Sequence, residues 1–216
     1  MRQLLILLGA PGSGKGTQAK MVFERFGYPQ VSTGDILRDA IRRDTHLGRE
    51  AKAAVNSGRL VPDEVVIGII EERLNQPDCA SGCSLDGFPR TVEQAEALEK
   101  LAADFQPRVL FFEVPAEVLV RRLTGRRNCQ ACGAICNVYF TPPVKEDVCD
   151  RCGGALVRRE DDAEEIVRRR LAVYEEHTAP LAGFYRERGQ LVAVDGNAPM
   201  GEIFETVVRA IRSDAD

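Results

Sequence analysis

Leu4-Leu5-Ile6-Leu7-Leu8-Gly9-Ala10-Pro11-Gly12-Ser13-Gly14-Lys15-Gly16-Thr17 is the stretch that decides the fold. Five consecutive aliphatic residues read as a strand buried on both faces. The next seven match G-x-x-x-x-G-K, and Ala19, Val22, Phe23 and Phe26 then recur at helical spacing. A strand, a glycine-rich loop and a helix in that order form a cradle for phosphate. The loop curls its N–H groups around phosphate oxygens, the helix N-terminus adds its dipole, and Lys15 reaches the outer phosphates. One departure stands inside the motif: the hydroxyl residue expected directly after the lysine is replaced by Gly16 and arrives one place later, at Thr17. The usual magnesium ligand is thereby displaced.

Working outward, apolar runs suited to buried parallel strands lie at 83–85, 109–114 and 191–194, with a short one at Gln30–Ser32. Helical patterns separate most of them, at 65–74, 92–101 and 118–123, and the stripe Ile203, Phe204, Val207, Val208, Ile211 follows the last. The alternation predicts an α/β fold, a parallel sheet wrapped by helices. Two stretches fall outside this rhythm. Residues 32–61 hold two helical segments, 36–43 and 49–55, with no strand between them, and read as a helical insertion. Residues 125–162 carry four paired cysteines, Thr141-Pro142-Pro143 and Gly153-Gly154, with little helical periodicity, and read as a small inserted lobe. The core is then 1–31, 62–124 and 163–216.

The 216 residues fit one large domain with small insertions better than two full domains. An apolar content of 44% is ample for a packed core and excludes a largely disordered chain. The 29 Lys+Arg nearly balance the 33 Asp+Glu, leaving a net charge of −4, whereas a generic nucleic-acid binder is basic. The longest purely aliphatic run, 4–8, is far too short to span a bilayer, so a soluble, cytoplasmic chain with no membrane partner is expected. His46 and His177 are the only histidines, and histidine-based chemistry is not expected.

Cys129-Gln130-Ala131-Cys132 and Cys149-Asp150-Arg151-Cys152 are separated by 16 residues, within the C-x₂-C-x₁₅₋₂₀-C-x₂-C zinc pattern. Four thiolates close a tetrahedral site with no open position, so the metal is expected to be structural; iron is compatible with the same cage. Cys79, Cys83 and Cys136 are left over and are expected to be buried free thiols.

The phosphate loop is joined by Ser32-Thr33-Gly34-Asp35, Leu85-Asp86-Gly87-Phe88-Pro89-Arg90, Gly125-Arg126-Arg127, Arg159-Glu160-Asp161-Asp162 and Thr178-Ala179-Pro180-Leu181. In this order they resemble the adenylate kinase family, over essentially the whole chain. The resemblance implies a P-loop NTPase-like core, an AMP-binding insertion at 32–61 and a mobile zinc-bearing lid at 125–162. It implies a monomer that catalyses ATP + AMP = 2 ADP with magnesium. By resemblance ATP lies on Gly12, Ser13, Gly14, Lys15, Gly16 and Thr17, and on Arg122, Arg126, Ile135, Cys136 and Ala198. AMP lies on Thr33, Arg38, Arg59, Leu60, Val61, Gly87, Phe88, Pro89, Arg90, Gln94, Arg159 and Arg170. Thr33 and Gln94 are expected against the acceptor base, where a glutamine amide presents a donor and an acceptor to adenine. Cys136 stands where zinc-bearing relatives often carry tyrosine near the ATP base.

Physical chemistry points the same way. Transfer between two nucleotides gathers several phosphate groups, whose repulsion must be offset by buried cations. Lys15, Arg90, Arg126, Arg159 and Arg170 are the expected catalytic set, supported by Arg38 and Arg122. Arg127, Arg158, Arg168 and Arg169 read as solvated charges. Asp86 follows a buried strand and is expected to hold magnesium-bound water, or else to cap the turn at Gly87. Two other readings stay open. One is a nucleoside-monophosphate kinase for another base. The other is a zinc ribbon that binds nucleic acid with the phosphate loop as a switch, against which stand the acidic balance and the lack of an aromatic-basic stripe.

Overall fold

In the computed structural model, which describes residues 2–212, the aliphatic run becomes strand β1 (Arg2–Gly9), buried from Leu4 onward. The phosphate loop leads into α1 (Lys15–Phe26) and a short β2 (Gln30–Ser32), then the helices α2 (Thr33–Arg42), α3 (His46–Ser57) and α4 (Asp63–Leu74). Next come β3 (Gly82–Asp86), α5 (Val92–Leu101), β4 (Phe105–Glu113) and α6 (Ala116–Thr124). Three short strands follow, β5 (Arg126–Cys129), β6 (Ile135–Asn137) and β7 (Leu156–Val157). The chain closes with α7 (Glu164–Val173), a π-helical turn (Tyr174–Thr178), α8 (Leu181–Glu187), β8 (Leu191–Asp195) and α9 (Met200–Arg212). The expected core positions 1 and 213–216 lie outside the described residues.

The main sheet has the order β2-β3-β1-β4-β8, with every pairing parallel. Because side chains alternate along a strand, β1 feeds two cores. Leu4, Ile6 and Leu8 pack with α4, α5, α8 and the insertion, whereas Leu5 and Leu7 pack against α1 and α9. The chain leaves β1 for β2 and β3 on one side and reaches β4 and β8 on the other. A crevice therefore opens beyond the carboxyl ends of the strands, where parallel α/β sheets bind ligands. The phosphate loop after β1 and the Gly87-Phe88-Pro89-Arg90 turn after β3 both lie there.

Beyond Ser32, which ends β2, residues 33–61 form two helices and no strand, each helix started by a hydroxyl cap: Ser32 Oγ accepts from Asp35 N, and Thr45 Oγ1 from Gly48 N. Residues 125–162 contain the three-stranded antiparallel sheet β6-β5-β7, a detail that weak periodicity did not reveal. The sequence reading also left α7, the π-turn and α8 unnamed. In α7 the apolar residues lie among glutamates and arginines, and α8 is apolar but spans only seven residues, too short to show a helical period. Cys79 and Cys83 are fully buried as free thiols. Cys136 departs from that expectation: it is half-buried on β6, at the wall of the crevice.

Candidate active site

At the phosphate loop the backbone takes positive φ at Gly12 (85°) and Gly14 (98°), a region that side chains with a Cβ avoid. A Cβ at Gly12 would also stand 2.9 Å from Leu123 Cγ of α6. Lys15 curls over the loop, its Nζ donating to Gly9 O (2.7 Å), Ala10 O (2.8 Å) and Ser13 Oγ (3.2 Å). Burial lowers the Lys15 pKa to about 8; Asp86 opposes the fall, and Arg90, Arg170 and Arg126 add to it. Gly16 has a packing reason. A Cβ there would lie 3.1 Å from Asp86 Oδ2, the oxygen that accepts Gln30 Nε2 at 3.0 Å. Loss of the usual hydroxyl at this position makes room for the carboxylate of Asp86.

Five arginines from separate elements converge on the same crevice: Arg38 from α2, Arg90 after β3, Arg126 on β5, Arg159, and Arg170 on α7. Arg126 forms a two-pronged pair with fully buried Asp162, Nε to Oδ2 at 2.8 Å and Nη2 to Oδ1 at 2.6 Å. Arg170 Nη1 reaches Asp162 Oδ1 (3.2 Å), Asp161 Oδ2 (3.1 Å) and the Asp161 carbonyl (2.9 Å). Arg38 pairs with Asp35 (2.6 Å) and Asp161 (3.7 Å), while Arg159 donates to Asn128 Oδ1 (3.0 Å) and lies 3.9 Å from Asp35.

Positive charge outweighs negative in this cluster. Burial, then repulsion from Arg170, pulls Arg90 down to about 10 despite nearby Asp86. Burial, then Arg126 and Arg38, does the same to Arg159, also to about 10, and Arg170 is lowered chiefly by burial. Burial alone would raise Asp161, yet Arg170, Arg38, Arg126 and Arg159 together hold its carboxyl below the ordinary range. At about 10, Arg90 and Arg159 remain cationic at neutral pH, and a polyanion seated among the arginines relieves their repulsion.

Two adjoining spaces share Arg38, Arg90 and Arg170, while Arg126 and Arg159 line the larger one. The larger, about 880 Å³, is lined by the phosphate loop, Arg122, Ile135, Cys136, Phe140 and Ala198. That lies in the range of about 300–1,000 Å³ usual for small-molecule sites. Arg122 donates to Gly196 O at 2.9 Å. The smaller is lined by Thr33, Leu37, Arg38, Arg59, Leu60, Val61, Gly87, Arg90 and Gln94. Arg90 is held at three points: its N–H donates to Gln94 Oε1 (2.8 Å), its Nε to Gly87 O (2.8 Å), and its carbonyl accepts from Thr178 Oγ1 (2.9 Å).

Most of the residues expected at the site line one of these spaces. Phe88 does not: fully buried, it packs in the core beneath the turn, with Leu85 and Ala95. Thr33 Oγ1 donates to Gly87 O at 2.9 Å, so its proton is spent on the turn. Arg168 and Arg169 are exposed and pair with glutamates one helical turn away, as solvated charges do, whereas Arg127 departs from that expectation: it is half-buried and donates to the carbonyls of Thr124 and Arg126. Residue type alone does not announce which carboxylates partner the site residues: Asp161 and Asp162 are buried, Asp63 is half-buried and Asp35 is exposed. Thr91, the cap of α5, was legible as the start of the capping pattern Thr91-Val92-Glu93-Gln94.

The Sγ atoms of Cys129, Cys132, Cys149 and Cys152 all lie within 4.8 Å of one another, with Cys129 to Cys152 at 3.4 Å and Cys132 to Cys149 at 3.7 Å. A tetrahedral cage with metal–sulfur bonds of about 2.3 Å has edges of about 3.8 Å. The thiols therefore fit one ion, and they are too far apart to be disulfides of about 2.05 Å. The backbone N–H of Cys132, then that of Ala131, holds the Cys129 thiol below its ordinary pKa.

A parallel sheet with a phosphate loop after its central strand, and a shared arginine cluster between two ligand spaces, defines a P-loop enzyme that handles two phosphate-bearing substrates. The family model described as adenylate kinase matches residues 7–190. The adenylate kinase of Nitrosococcus oceani is 52% identical over 94% of this chain and 95% of its own length. That of Thermodesulfovibrio yellowstonii is 50% identical over 94% and 96%, and that of Archaeoglobus fulgidus 49% over 97% and 99%. The chain belongs to the adenylate kinase family, and its reaction is the phosphoryl transfer ATP + AMP = 2 ADP.

Proposed function

We propose that the larger space holds ATP, with its phosphates on Gly12, Ser13, Gly14, Lys15, Gly16 and Thr17 and its base near Ile135, Cys136 and Ala198. The smaller space holds AMP, its base toward Thr33, Gln94 and the 59–61 segment and its phosphate toward Arg38, Arg90, Arg159 and Arg170. Arg38, Arg90 and Arg170 line both spaces, with Lys15, Arg126 and Arg159 on the wall of the larger, and this convergence of cations carries the reading. The attacking atom is a phosphate oxygen of AMP, already largely ionised because a phosphomonoester has a second pKa of about 6. No side-chain base is needed. As the new P–O bond forms, the bond to the β-phosphate of ATP breaks and ADP departs, with Lys15, Arg90, Arg126, Arg159 and Arg170 offsetting the charge throughout.

Magnesium bound with ATP supplies further charge neutralisation at the transferring phosphates. Asp86, beside Lys15 and facing the crevice, would hold its water. The four cysteines would hold structural zinc, since four thiolates leave no open position. On this reading 1–31, 62–124 and 163–216 form the core, 32–61 the AMP-binding insertion and 125–162 the lid. The working form is a cytoplasmic monomer with no nucleic-acid or membrane partner. Among the described residues no helix is long and apolar enough to cross a membrane. The test is ADP formation from ATP with AMP, GMP, CMP and UMP in turn. AMP is expected to be the preferred acceptor, and equal use of CMP would refute the roles of Thr33 and Gln94.

A further inference from the structure

We infer that Asp63 is a specificity-determining positioning residue, which locks the Gln94 amide in the one orientation that pairs with adenine and rejects guanine. This rests on the reading of the smaller space as the acceptor-base site. Asp63 opens α4, outside the expected insertion, and does not line that space. Its Oδ1 accepts Gln94 Nε2 at 2.7 Å, and its Oδ2 accepts Thr91 Oγ1 at 2.8 Å. On the other side Gln94 Oε1 accepts the Arg90 N–H at 2.8 Å. Gln94 itself is 1% exposed and lines the cavity.

The two ends of an amide are told apart only by their partners. Here the partners allow one choice. With the amide turned over, Oε1 would face the Asp63 carboxylate and the NH₂ group would face the Arg90 N–H, two repulsive contacts in a buried site. In the observed orientation one N–H and one oxygen lone pair of Gln94 remain uncommitted. Adenine offers an acceptor at N1 beside a donor at N6, which these two groups complement. Guanine offers a donor at N1 beside an acceptor at O6, the reverse arrangement, and would be met only by the amide turned over. Asp63, acting together with the Arg90 N–H, thus converts a residue that could serve either purine into one that serves adenine, and without Asp63 a single contact is left to hold the amide. Thr91, fixed as the cap of α5, holds the carboxylate in place.

The experiment compares kcat/KM for AMP and for GMP, with ATP as donor, in the wild type, Asp63→Asn and Asp63→Ser. Asparagine can donate as well as accept and so tolerates the turned amide. Serine keeps a polar start to the helix but is too short to reach Gln94. The AMP:GMP ratio is expected to fall by about tenfold or more in either folded variant, with the KM for ATP unchanged. A ratio within twofold of the wild-type value in a folded variant overturns the role of Asp63 while leaving the acceptor-site reading intact. A wild-type protein that uses GMP as well as AMP overturns both. Failure of both variants to fold makes Asp63 a structural residue and also overturns the assignment.

Discussion

The sheet core and the four-cysteine lobe are stabilised by different means. In the core, Leu4 to Leu8 of β1 are buried between two apolar clusters that together draw on α1 to α5, α8 and α9. In the lobe the only cluster among the described residues is Cys129, Cys149 and Leu156, with Ala134 and Cys136 packed beside them. Tyr139, Phe140, Val144 and Val157 of the same lobe are exposed. Three short strands with so small an apolar cluster bury little, and an ion bound by the four thiols would supply what the lobe lacks. The lesson is one of division of labour: a core that folds by burial carries Lys15, Arg90 and Arg170, and the lobe, whose four thiols fit one ion, brings Arg126 and Arg159 to the same crevice.

The largest effects should come from the core. Lys15→Ala or Arg90→Ala removes a preorganised cation from desolvated phosphate charge, a loss of about 3 to 4 kcal/mol, or more than about a hundredfold in kcat. The melting temperature should stay near the wild-type value, since neither side chain belongs to an apolar cluster. Initial rates alongside thermal melts check both halves; near-normal turnover would remove these residues from the site.

A smaller effect sharpens the electrostatics. Lys15, at about 8 in the free protein, is partly neutral near that pH. A polyphosphate beside it favours the charged form and raises the pKa, so ATP binding at pH 8 should take up about half a proton per chain. The sign is opposite for the folded state alone. A buried cation with a depressed pKa costs stability while it is charged, and that cost fades as pH rises from about 8 toward 10.5. Titration calorimetry in buffers of different ionisation enthalpy reads the uptake, which Lys15→Met should abolish.

How much of this was legible in the sequence follows from the same contrast. Gly9 through Thr17 announced a strand, loop and helix because motif and apolar pattern agree there. Cys129, Cys132, Cys149 and Cys152 announced a cage because metal geometry constrains spacing. Neither kind of signal reaches the partners of the arginines. Asp161 and Asp162 follow two arginines and a glutamate in a run of charges that reads as solvent-facing, yet Asp162 is fully buried beneath Arg126 and Arg170. Asp63 and Gln94 lie 31 positions apart and meet only because α4 and α5 pack together. Phe88 shows the converse: a motif residue expected to face a ligand that instead anchors the turn from below.

The claim that metal and chemistry are separate is tested most directly with Cys132→Ser. Metal content, thermal melting and phosphoryl transfer from ATP to AMP at low temperature would be measured on one preparation made under reducing conditions. The account predicts about one ion per chain in the wild type and loss of that ion in the variant. It also predicts an earlier melt and transfer that remains measurable. Complete loss of transfer with an unchanged fold and an unchanged melting temperature would contradict it, because the metal would then be acting on the substrates.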